Sequence, residues 1–119
     1  MLAKGLYFSS LLYFFVPVTR LSSWNLSVAT DKISADVQWT AFPLDEHIEN
    51  LWLRFKDVDG DVSVLIPVEE HDNSYHIKNL LKTSTNYVFD LVAFTGDFGI
   101  SQGYSSQNAT AETLEGGTI

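Results

Sequence analysis

Cysteine is missing altogether from this 119-residue chain. That single absence excludes a disulfide framework, a thiolate zinc site and a thiol nucleophile. Basic residues are scarce as well: seven Lys and Arg stand against fifteen Asp and Glu, a formal charge of −8. Nucleic-acid phosphates need a Lys/Arg patch, so nucleic acid is excluded as a partner. The same deficit gives no support to binding at an anionic membrane surface. No phosphate-cradling glycine loop is present, and no window keeps a helical period for long enough to predict a helix. What is there suffices for one globular domain with a buried core, since 45% of the residues are hydrophobic.

One apolar run stands out. Lys4 is followed by an uncharged stretch from Leu6 to Val18, too short for a bilayer core, which needs roughly twenty residues. A short basic start before a short apolar run predicts a signal peptide over residues 1–23, with cleavage after Ser23, although Pro17, Arg20 and Leu21 crowd the places where small residues belong. A buried N-terminal strand or a signal anchor is the other reading. No second apolar run follows, and residues 114–119 read as a tail or linker. The expected location is therefore secreted or extracellular, either as a free protein or as part of the ectodomain of a larger membrane protein.

From Trp24 onward the periodicity is two. Leu26 and Val28 alternate, then Ile33, Ala35, Val37 and Trp39 share one face. Leu51, Leu53 and Phe55 follow, then Val62, Val64 and Ile66, then Tyr75 and Ile77, and last Tyr87, Phe89, Leu91 and Ala93. Successive side chains of a strand point to opposite sides, so this pattern predicts strands with one buried face. Turn-forming stretches separate the runs. Six or seven short strands with regular breaks predict an all-β fold, an immunoglobulin-like antiparallel β-sandwich of about seven strands over residues 24–113.

The stretch KDVDGDVS, residues 56–63, invites comparison with a calcium loop. Counted from Asp57, its glycine comes two places too early for an EF-hand, and Val68 stands where the closing glutamate belongs. An Asp-Gly step between two alternating apolar runs predicts a hairpin turn instead, with glycine free to take positive φ.

Leu81, Thr85 and Tyr87 have a Leu-x-x-x-Thr-x-Tyr spacing that leads into Phe89, Leu91 and Ala93. A tyrosine there can close a corner between two strands through its hydroxyl. Together with Trp39 at the end of the second strand, these residues resemble a fibronectin type III domain. The resemblance covers Trp24 to about Thr113 and implies that Trp39, Leu81 and Tyr87 are core residues. Thr83-Ser84 stands where the family has Pro-Gly, and Leu80 is the alternative corner leucine. The resemblance further implies a non-enzymatic module that binds extracellular or cell-surface proteins. A structural spacer from a tandem array and a soluble cytokine-receptor-like binder are the alternatives. The last is weakened by the lack of cysteine and of a Trp-Ser-x-Trp-Ser segment.

No catalytic, cofactor or metal residue is expected. Gly99-Ile-Ser-Gln-Gly103 matches the G-x-S-x-G elbow of serine hydrolases, yet His47, His71 and His76 all precede Ser101 and no helix follows. The histidines fit no common metal spacing. Glu69 and Glu70 are strand neighbours facing opposite ways, so they cannot converge on one substrate. Asn25-Leu-Ser27 and Asn108-Ala-Thr110 are N-glycosylation sequons. Candidate partner contacts are Asp97 and Phe98 in the loop before the last strand, and Trp52 and Arg54 on an outward strand face. The last two either form a partner patch or stack as a cation–π pair. Threonine precedes Gly96-Asp97, so no integrin-type Arg-Gly-Asp motif is present.

Overall fold

The core is built on the two longest strands. In the computed structural model, which describes residues 7–8, 18–96 and 102–116, β5 (Ile48–Asp57) and β8 (Asn86–Thr95) run antiparallel over nearly their full length. Leu53 lies opposite Leu91, and Phe55 opposite Phe89. All four are buried, and each such side chain contributes roughly 1.5–3 kcal/mol on leaving water. The period-two pattern thus places one face of each strand inside, where Phe55, Tyr87 and Phe89 pack with ring centroids 5.8 to 6.3 Å apart.

The second layer is a three-stranded sheet in the order β3 (Leu26–Thr30), β4 (Ala35–Trp39), β7 (Ser74–Ile77). Ala35, Val37 and Trp39 turn inward from β4, with Asp36 and Gln38 exposed between them. Facing it is a sheet in which β6 (Val64–Pro67), β5, β8 and β9 (Gln102–Ser105) lie side by side, with β10 (Ala109–Glu112) pairing the other half of β8. β9 and β10 form one interrupted last strand. At the break, the fully buried Ser106 accepts a hydrogen bond from the Leu91 amide on its Oγ at 2.9 Å. Its own amide donates to the Leu91 carbonyl at 3.0 Å. The all-β sandwich read from the sequence is therefore present, and among the described residues there is no helix.

Two further strands lie within residues 1–23. β1 (Tyr7–Phe8) pairs β6, and β2 (Val18–Arg20) runs parallel to β9. The Leu21 amide donates to the Ser105 carbonyl at 2.7 Å. Strand structure paired to the sandwich thus lies ahead of the Trp24 boundary that periodicity drew. The reason is that β9 has an open edge, and an edge strand recruits any extended backbone without needing apolar alternation.

Other departures are local. Ile33 and Val62 alternate correctly with their neighbours but lie in turns and are exposed. Asp31 N–H to Ser34 O at 2.8 Å closes the turn that carries Ile33. Residues 58–63 form the turn between β5 and β6, as expected, although Gly60 is not among the residues of positive φ. Glycine is needed there for close approach, because a Cβ would meet Asp57 Cβ at 3.3 Å. Lys56 donates to the Gly60 carbonyl at 3.0 Å and the Asp59 amide to Asp57 Oδ1 at 2.9 Å, so the turn is tied internally.

Candidate interaction surface

The corner leading into β8 has a definite geometry. Tyr87 is buried, and its hydroxyl accepts from the Lys82 amide at 2.8 Å. Leu81 is buried while Leu80 is 45% exposed, so Leu81 is the corner leucine. Trp39 is also buried, 7% exposed at the end of β4. Ser84, where the usual corner has glycine, adopts φ of 49° and donates its amide to Leu114 O at 3.0 Å.

Trp24, which sequence periodicity treated only as a boundary, is among the most buried side chains. Its Nε1 donates to the Thr40 carbonyl at 3.1 Å, and its ring meets Phe42 edge-on at 5.0 Å. Phe42 in turn meets Tyr104 at 5.8 Å, sealing the end of the sandwich opposite the tyrosine corner. A large aromatic directly before the first alternating run was the available signal.

On the outward face of β5, Trp52 lies opposite Pro67 and Val92, and Arg54 opposite Leu65 and Asp90. Trp52 is half-buried. Arg54 grips Asp90 at two points, Nε to Oδ1 at 2.8 Å and NH2 to Oδ2 at 2.6 Å. The physical reason is that Asp90 is only 4% exposed, and a buried carboxylate demands a charged partner. That hydrogen bond, and Asp90's charge, hold the Arg54 guanidinium above its ordinary range against the opposing effect of burial. Arg20 of β2 approaches the same carboxylate at 4.0 Å. Asp90 and Arg20 were both missed from the sequence, although a lone aspartate in an apolar run, YVFDLVAF, is the visible mark of the first.

The sequon asparagines are both exposed. Asn25 precedes β3 on the rim of a shallow groove that Ser27, Gln38 and Thr40 also line. Asn108 lies between β9 and β10, and its Oδ1 accepts from Arg20 NH1 at 2.9 Å, which leaves Nδ2 for a glycan. Asp97, Phe98 and Ser101 lie outside the described residues. Of the histidines, His47 and His71 occupy separate connections, and His76 on β7 lies 2.6 Å from Asp36. Among the described residues, no cluster of three or more His, Asp or Glu is arranged to hold a metal ion. Glu46 lies near the sealed end, accepting from Thr95 Oγ1 at 2.9 Å and from the Tyr104 hydroxyl at 3.1 Å.

A three-stranded sheet facing β6, β5, β8 and the interrupted β9–β10 strand, with a tyrosine-closed corner, defines an immunoglobulin-like β-sandwich. More particularly, the chain has the fibronectin type III fold. It is similar to the fn3 domain of human collagen alpha-1(XX) chain, with a TM-score of 0.63 and 15% identity over 82% of this chain and 85% of that one. A myokine structure matches with a TM-score of 0.60 and 18% identity over 79% of this chain and 98% of its own. The chicken CNTN1 FN1–FN3 domains match with a TM-score of 0.62 and 18% identity; 83% of this chain aligns to 33% of that array. No protein-family model matches the chain, and no curated protein matches it in sequence.

Proposed function

We propose that this protein is a non-enzymatic extracellular interaction module, exported by an N-terminal signal and carrying sugars on Asn25 and Asn108. The observation that carries the reading is the exposure of both sequon asparagines on a fibronectin type III fold. An N-linked glycan needs an amide that protrudes from a folded surface in an exported chain. Trp52 and Arg54 on the outward face, with Asp97 and Phe98 in the loop before β9, are the proposed contacts to extracellular or cell-surface proteins. Aromatic and arginine side chains supply much of the anchoring energy at such interfaces.

The test is expression of the whole chain in secretory cells. The expected outcome is glycosylated protein in the medium, whose mass drops on enzymatic deglycosylation and stays low in an Asn25→Gln, Asn108→Gln variant. An unglycosylated chain held in the cytosol sinks the reading. Sequencing the N-terminus of the secreted form locates the cleavage site; a cut after Ser23 would remove β2 and the Arg20 contacts.

A spacer role in a tandem array is the second reading, favoured by the match to one part of a multi-domain chain. Trp52→Ala and Phe98→Ala variants separate the two. Cell or matrix binding that falls in either variant supports the module, and binding unchanged in both supports the spacer.

A further inference from the structure

Most of the exposed large apolar side chains gather at one end of the sandwich. Ile33, Val58, Val62, Leu80 and Leu114 account for five of the seven among the described residues, and Val62 and Leu114 are 62% and 53% exposed. Hydrogen bonds join the segments that carry them into one surface. The Leu81 amide donates to Ile33 O at 2.9 Å, the Leu114 amide to Asp31 O at 3.1 Å, and the Val58 amide to Asn86 O at 3.0 Å. Leu114 follows β10, so it lies between the turn after β5 on one side and the turns after β3 and β7 on the other.

The charges at this end are sorted by side. Lys32, Lys78 and Lys82 flank Ile33 and Leu80, whereas Asp59 and Asp61 flank Val58 and Val62. Among the described residues none of these five charged groups makes an ion pair within the chain. Asp31 and Glu115 stand between the two sides, next to Leu114 in space or in sequence. A surface with apolar residues on both flanks, lysines on one and aspartates on the other, has flanks that complement each other after a two-fold rotation. The rotation lays the lysines of one copy on the aspartates of the other, and the apolar residues against each other.

We propose that this end of the sandwich is a self-association surface whose occupant is a second copy of the same chain. One end of a single sandwich offers a small surface, so the dimer is expected to be weak. Much of its strength comes from opposed charges at the rim, which salt screens over about 10 Å at 0.1 M. The inference is independent of export and of glycosylation.

Sedimentation velocity on the purified full chain, at rising concentration and at low and high salt, is the test. The expected result is a reversible monomer–dimer equilibrium that weakens as salt increases. Lys78→Glu with Lys82→Glu lowers association about tenfold, equivalent to about 1.4 kcal/mol, and Asp59→Lys with Asp61→Lys does the same. The four changes together restore it, because a two-fold surface with both sides reversed is complementary again. Ser74→Asp, on the outward face of β7 opposite exposed Gln38, leaves association unchanged, and all these positions are exposed enough to leave unfolding midpoints where they were. A chain that stays monomeric at every concentration overturns the proposal. So does a dimer that is indifferent to both reversals, one that the combined variant fails to restore, or one that Ser74→Asp disrupts.

Discussion

Arg54 and Asp90 stand directly opposite each other on β5 and β8 and meet through two hydrogen bonds. Asp90 is almost fully buried, while the Arg54 side chain retains 36% of its exposure. Removing Arg54 would leave a nearly buried carboxylate with only Arg20, 4.0 Å away, as counter-charge. Arg54→Ala is expected to cost about 2–3 kcal/mol, below the range for a wholly buried pair because water still reaches the guanidinium. Replacing both residues by leucine should cost less than the single change. Urea unfolding of the two variants checks the order.

Ser84 holds a left-handed backbone conformation that glycine adopts without steric penalty. Its amide is fixed to Leu114 O. Ser84→Gly should therefore raise stability by about 0.5–1 kcal/mol, with the relief of strain partly offset by the greater freedom of glycine in the unfolded chain. A thermal midpoint that falls would show that the serine is better suited to this corner than its φ implies.

Tyr87→Phe isolates the hydroxyl that accepts from the Lys82 amide. The ring stays in the core, but a partly buried backbone N–H loses its acceptor. About 1–2 kcal/mol of destabilisation is expected. Hydrogen exchange at Lys82 should quicken in the same variant, and an unaltered rate there would argue against the corner as drawn.

The Tyr104 phenol is held above its ordinary range by partial burial first, and then by its hydrogen bond to Glu46 and that residue's charge. The unfolded chain ionises this phenol at about pH 10. The folded chain keeps it neutral to a higher pH. Its contribution to stability is thus complete below about pH 10 and is lost as pH rises through the folded value. In a phenolate absorbance titration Tyr104 should ionise late, and Tyr104→Phe should flatten the alkaline fall in stability.

The sequence made the inner face of the sandwich legible and left its edges obscure, for a physical reason. A buried face imposes alternation, so β4, β5 and β8 could be read from Val37, Leu53 and Phe89 and their neighbours two residues away. The corner was legible because Tyr87 and Leu81 have a fixed separation. β9 and β10 were not, since Gln-Gly-Tyr-Ser and Ala-Thr-Ala-Glu owe their strand state to pairing with β8 and carry little apolar signal. Ile33 and Val62 had the right period and were still misplaced, because periodicity says nothing about where a turn begins. The same limit hid the partner of Arg54: Trp52 is near in sequence, but Asp90 lies across the strand pair.

The parallel pairing of β2 with β9 bears on how the polypeptide can be made. Arg20 bonds to Ser106 across 86 positions of sequence, and contacts that distant are slow to close because the intervening loop must first lose its freedom. On a ribosome, which releases the N-terminus first, this early strand must wait unpaired until nearly all the rest has emerged. Cleavage after Ser23 would remove this strand altogether; in a chain that keeps it, docking is a late event in synthesis, and the last edge of the sheet is closed by one of the first segments translated.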